Sequence, residues 1–201
     1  MLPAFAMATA YPLAKRFLSW PQFALAPTVA WPVFVGWISA TKAGESRSDE
    51  SPMLAAVKLE RLDLLICGPL FLAYAAWTIC FDTAYGLQDI LGDKVSGIGS
   101  LAQFLGRRFI KPFLSILNLF VSFLLGLAAE RAHCSTFFWV FGIGLWAISV
   151  PFQLYILNPG VSRSGGKVFS FNIMLGLYVT FVTLMEVVVS PIAYEGQLPR
   201  L

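Results

Sequence analysis

Asp82-Thr83-Ala84-Tyr85-Gly86-Leu87-Gln88-Asp89-Ile90-Leu91-Gly92-Asp93-Lys94-Val95-Ser96-Gly97-Ile98-Gly99-Ser100 follows directly on an apolar run, Leu64 to Phe81. It puts three carboxylates into twelve residues of a chain that is only 12% charged. A carboxylate beside hydrocarbon is costly, so an acidic cluster at the mouth of a membrane helix calls for a functional explanation. If the helix continues through the stretch, Asp82, Asp89 and Asp93 fall on one face. Seven residues return almost to the starting direction, and four more add about 40°. Three acidic groups on one face repel unless a cation sits among them. Mg²⁺ suits the position, because it is held by one or two carboxylates together with phosphate oxygens.

The rest of the composition sets the class. The chain has 201 residues, is 58% apolar and has a mean hydropathy of +0.74. Soluble domains are about half apolar and a quarter charged, so this is an all-α, multi-pass transmembrane helical bundle. The net charge of +3 is small, and no basic stripe or stacking motif points to nucleic acid. Cys67, Cys80 and Cys134 lie in or beside apolar runs without C-x-x-C spacing and read as small buried residues.

Outward from the acidic stretch, spans need roughly 20 apolar residues each. Met1 to Ala14 is too short and reads as the second half of a helix, ended by Tyr11-Pro12 and followed by Lys15-Arg16. Full spans are expected over Trp20–Thr41, Leu62–Phe81, Pro112–Ala129, Cys134–Leu157 and Val168–Val189, the last interrupted near its end by Glu186. Lys42–Arg61 reads as a polar loop, Lys94–Lys111 as a connecting segment, and Asn158–Lys167 as a turn-rich loop. His133 sits in a tight turn with no ligand partner and reads as structural. Tryptophans near span ends read as interface anchors.

Alternating the loops puts eight basic residues on one side, including Lys15, Arg16 and Lys94, against six on the other. The bias places the first side in the cytoplasm. The acidic stretch and Lys15-Arg16 then share a face. Carboxylates for a metal and cations for phosphates are what a diphosphate site requires.

Three stretches carry a family resemblance. Tyr11-Pro12-Leu13-Ala14-Lys15-Arg16-Phe17 with Trp20-Pro21-Gln22 resembles the Y-P-x-x-K-R-x-x-x-x-P-Q stretch of the UbiA family of intramembrane aromatic prenyltransferases. Asp82-Thr83-x-Tyr85, then Gln88-Asp89-x-x-x-Asp93 and Gly97-x-x-Ser100, resembles that family's second aspartate-rich motif, with Gly92 where the usual pattern has another aspartate. Val168-Phe169-x-Phe171-Asn172 with Gly176 resembles its last helix, in wording closest to fungal members that prenylate aromatic polyketides.

The resemblance implies a helical barrel around a cavity in which a prenyl diphosphate ionises and an aromatic ring attacks the allylic cation. It implies Mg²⁺ as cofactor, Asp82, Asp89 and Asp93 as catalytic metal carriers, and Lys15, Arg16, Tyr85, Gln88 and Lys94 as substrate-binding residues. A farnesyl donor and an aromatic polyketide acid, in meroterpenoid secondary metabolism, are the expected substrates. The alternative is a 4-hydroxybenzoate polyprenyltransferase of ubiquinone biosynthesis. The endoplasmic reticulum goes with the first reading and the mitochondrial inner membrane with the second. The family's first motif, N-D-x-x-D-x-x-x-D, has no match, so residues 1–201 are expected to form one domain corresponding to the C-terminal two-thirds of the fold. A reading of a different class follows, an inactive truncated relative or a partner subunit. A transporter is disfavoured because the spans carry almost no ionisable residue except Glu186.

Overall fold

The structure is a computed structural model that describes residues 5–6, 8–9, 17–37 and 52–195. Among them all regular structure is helical. Helix α1 is Gln22–Ala30, α2 is Pro52–Tyr85, α3 is Ile90–Val95 and α4 is Leu101–Arg131. A π-helical segment, Phe138–Gly144, runs into α5, Leu145–Ile156, and α6 is Arg163–Glu195. Four of these are long and apolar enough to cross a bilayer: Leu65–Tyr85, Leu101–Arg131, Phe138–Ile156 and Arg163–Val189. The expected Trp20–Thr41 span is described as far as residue 37, as α1 and a second helical piece broken at Trp31-Pro32. Proline at 32 has no N–H to give the ladder.

Three segments read as loops or connections are helical over part or all of their described residues. Residues 52–61 belong to α2, and most of the Lys94–Lys111 connection is helix. The expected Asn158–Lys167 loop is only half a loop, because α6 starts at Arg163. Glycine counts suggested turns there, but helix ends are set by capping. Ser100 takes an extended backbone (φ −142°, ψ 151°) and its Oγ accepts the Gln103 N–H at 3.3 Å, which starts α4. Gly106, at φ +58° and ψ −174°, kinks that helix, a conformation open essentially to glycine alone. At the far end His133 turns left-handed (φ +52°) and the Cys134 N–H reaches back to the Ala129 carbonyl at 3.0 Å. That pairing is a Schellman stop with histidine in the usual glycine position, so His133 has a structural role.

Small residues let the helices approach closely, as in other membrane bundles. Ala73, Ala76 and Trp77 of α2, Val121 and Leu124 of α4, Trp146 of α5 and Leu175 of α6 form one buried cluster. Cys80, Ala84, Leu87, Ala102, Ile110, Leu114, Leu157 and Val168 form another, directly under the acidic stretch. Cys67 and Cys80 are buried as expected, while Cys134 is half-exposed. Trp77, near a span end, is not an interface anchor, and Trp146 lies mid-span. They are buried and meet edge to face, with centroids 5.0 Å apart.

Glu186 does not interrupt α6. Its carboxylate accepts the Ser135 N–H and the Ser135 hydroxyl, each at 2.6 Å, where the helix leading into the π-helical segment begins. A negative charge there is favoured by the helix dipole. Burial, reinforced by the Glu186 charge, pushes the neighbouring Cys134 thiol up from its ordinary 9.0 to about 11.

Candidate functional site

The acidic stretch is not one helix. Helix α2 ends at Tyr85, residues 86–89 turn, and α3 is only six residues long. The sequence expectation of three carboxylates on one helical face is therefore corrected. Gly86, whose added Cβ would stand 3.3 Å from the Ala102 Cβ, is pressed against the start of α4. That close approach coincides with the end of α2. Helix α3 ends on Gly97 (φ +66°), with the Ile98 N–H bonded to the Asp93 carbonyl at 2.9 Å and the Gly97 N–H to the Lys94 carbonyl at 3.3 Å. The Gly97-x-x-Ser100 spacing is thus a helix stop followed three residues later by a helix start.

The fold-back brings the carboxylates together by another route. Asp82 from the last turn of α2, Asp89 from the turn and Asp93 from α3 line one cavity of about 90 Å³. Pro21, Gln22, Tyr85, Gly86, Gly99 and Ser100 complete its wall. Asp89 stands just before α3, and its side chain does not cap that helix. Gln22 is buried, and its Oε1 accepts the Leu101 N–H at 3.5 Å. A Cβ at Gly99 would come within 2.7 Å of the Ser19 carbonyl oxygen, so residues 19–22 lie tight against the acidic turn.

Of the residues expected at the site, Asp82, Asp89, Asp93 and Tyr85 are gathered here. Lys94 is exposed on α3 and Gln88 lies against Gly166 at the start of α6, so neither lines the cavity. Lys15 and Arg16 lie outside the described residues. Gln22 and Ser100 were not anticipated as wall residues, although both stand in the stretches that carried the family resemblance.

Below the acidic cavity runs an aromatic wall. Tyr85 packs on Phe169 (5.0 Å between centroids), Phe169 on Phe81 (5.8 Å) and Phe81 on Trp77 (5.7 Å). Beside it lies an apolar cavity of about 300 Å³ lined by Tyr74, Trp77, Phe81, Phe169, Asn172, Ile173, Gly176 and Leu177. A buried polar chain supports this wall. Trp77 Nε1 donates to Asn172 Oδ1 at 2.6 Å, and Asn172 Nδ2 donates to Gln153 Oε1 and to the Val168 carbonyl, both at 2.8 Å. Gln153 Nε2 donates to Ser149 Oγ at 3.3 Å. Among the described residues no three acidic, histidine or cysteine side chains converge closely enough to hold a metal by themselves. An all-oxygen donor set spread round a small cavity instead fits a hard divalent cation that completes its shell from a phosphate ligand and water. The whole arrangement is a polar, acidic head above an apolar, aromatic slot.

The UbiA prenyltransferase family matches residues 1–182. The chain is 38% identical over 187 residues to the polyprenyl transferase yanG of Aspergillus niger, covering 93% of this chain and 51% of the relative. It is 36% identical over 184 residues to a polyprenyl transferase of Arthrobotrys oligospora (92% and 45%), and 36% over 188 residues to macG of Penicillium terrestre (94% and 53%). The chain spans about half the length of the curated relatives it matches. No solved structure matches. With four apolar helices among its described residues, the chain is a multi-pass membrane protein and belongs to the UbiA prenyltransferase family.

Proposed function

We propose that this chain binds a prenyl diphosphate with its head at Asp82, Asp89 and Asp93 and its tail in the aromatic slot, and serves transfer of the prenyl group to an aromatic acceptor. The observation that carries the reading is the shared cavity. Three carboxylates from three separate local structures line it directly above an aromatic wall. Asp89 and Asp93 would hold Mg²⁺, with Asp82 as a further contributor. When bound, the ion neutralises charge that grows on the departing diphosphate, and such stabilisation is larger in the transition state than in the ground state. Lys15, Arg16 and Lys94 are the candidate phosphate cations. Tyr85 and Phe169 stack between the head and the slot. A farnesyl donor and an aromatic polyketide acid fit the likeness to fungal polyprenyl transferases.

The test is binding of a non-cleavable farnesyl thiolodiphosphate to the full chain in micelles, titrated with Mg²⁺. Asp89→Asn and Asp93→Asn should each weaken Mg²⁺-dependent binding by about tenfold or more, a scale typical of disturbed metal contacts. Undiminished binding in both variants overturns the assignment. Wild-type chain that binds is then assayed for prenylation of an aromatic acid.

A further inference from the structure

A second apolar cavity, of about 330 Å³, lies deeper in the bundle. Its lining runs from Leu70 and Ala73 of α2 across Val121 and Leu125 of α4 to Val179 and Thr180 of α6. Trp77, Tyr74 and Gly176 line both this cavity and the one beside the aromatic wall. Along α2, at about 1.5 Å per residue, Trp77 stands roughly 7.5 Å below Asp82, and Leu70 roughly 18 Å below it. Acidic head, first cavity, Trp77 and second cavity therefore follow one another down a single helix.

The indole is held firmly in this position. Its Nε1 is bonded to Asn172, its ring meets Trp146 edge to face, and it is 8% exposed. Its Cη2 would lie 3.3 Å from a Cβ added at Gly176, so a side chain at residue 176 would press on the ring's far edge. A side chain pinned on several sides and shared by two apolar cavities acts as a partition.

We propose that Trp77, fixed by Asn172 and given room by Gly176, is the partition that sets how long a prenyl tail the site accepts. The inference rests on the prenyl-transfer reading. A tail that ends above Trp77 fills the first cavity. One with a further isoprene unit must displace the indole from its hydrogen bond and its stack to enter the second.

The experiment measures dissociation constants of geranyl, farnesyl and geranylgeranyl thiolodiphosphates for the full chain in micelles. Trp77→Ala joins the two cavities and should raise farnesyl and geranylgeranyl affinity relative to geranyl by about tenfold or more. That is the low end of what one misfitting methylene does to discrimination in an apolar pocket. Trp77→Phe should move the ratio the same way by less. Gly176→Ala, which presses on the indole, should move the preference toward geranyl. Opposite shifts from neighbouring positions are not what general destabilisation produces, and the Phe and Gly176 variants carry the test if Trp77→Ala does not fold. Chain-length ratios unchanged in all three variants, in a protein that binds prenyl diphosphates, overturn the partition alone. A wild-type chain that binds none of the three ligands overturns the prenyl-transfer reading and the partition with it.

Discussion

Asn172→Leu probes the buried polar chain most directly. Asn172 and Gln153 are 4% and 5% exposed, so water cannot easily replace what is lost. The substitution orphans the Trp77 N–H and the Gln153 Oε1, while the Val168 carbonyl keeps its place in the helical ladder and loses only an extra donor. A buried group left unpaired costs about 1–3 kcal/mol in water-soluble proteins, which for two groups gives about 2–6 kcal/mol. Hydrogen bonds inside membrane bundles average nearer 0.6 kcal/mol each, which for three bonds gives about 2 kcal/mol. Leucine's added apolar contact offsets part of the loss. The expected destabilisation is therefore about 2 kcal/mol, where the two figures meet. Equilibrium unfolding of the full chain in mixed micelles by titrated SDS, followed by near-ultraviolet circular dichroism, measures it. Trp77→Phe removes the donor itself, so the double variant should lose about 1 kcal/mol less than the sum of the singles. Asn172→Leu within about 0.5 kcal/mol of wild type, or strictly additive singles, would refute the reasoning.

Three further outcomes follow from the helix ends. Glu186→Ala removes two charge-assisted bonds at a helix start and should cost about 2–4 kcal/mol in the same unfolding assay, with Glu186→Gln recovering roughly half. Cys134 should alkylate slowly at neutral pH and accelerate until about pH 11, and Glu186→Gln should move that profile to lower pH. The sign for stability follows: the folded thiol keeps its proton longer than the unfolded one, so its contribution is complete below pH 9.0 and is lost as pH rises through about 11. His133→Gly should stabilise the chain by about 1 kcal/mol, since glycine takes the left-handed stop without the Cβ penalty; a loss of stability in the thermal melt would contradict that account.

The parts of the fold carried by long apolar runs were legible in the sequence. The runs ending at Phe81, Leu157 and Val189 all correspond to helices. Helix ends were less legible, because they depend on caps and on contacts made elsewhere. Ser100 starts α4 well before the apolar run that marks the span, and α2 ends where Gly86 comes close to Ala102. At the candidate site, the spacing of Asp82, Asp89 and Asp93 pointed to a common location but not to how they reach it. A continuous helix and a broken one both converge these residues. Trp77 misled for a related reason. Position along a span suggested the interface, but Trp77 finds its hydrogen-bond partner 95 residues away, on α6. Exclusion of Gln88 from the cavity was equally invisible, since it depends on how closely Gly166 approaches.

The π-helical segment has a consequence for how the chain can change in length. Over Phe138–Gly144 the backbone winds i→i+5, with more residues per turn than the α-helix that follows it. The Phe141 carbonyl in this segment takes the Tyr178 hydroxyl at 2.6 Å. The wide turn is a local surplus of chain, and it lies upstream of Trp146, Ser149 and Gln153, which face the interior. Dropping one residue from the surplus tightens it toward ordinary α winding and leaves the inward face of α5 in phase. Dropping one residue from the middle of α2 instead rotates everything beyond it by about 100° and turns Trp77 or Asp82 away from its neighbours. Among the described helices, the Phe138–Ile156 span is thus one where a single-codon deletion does little damage.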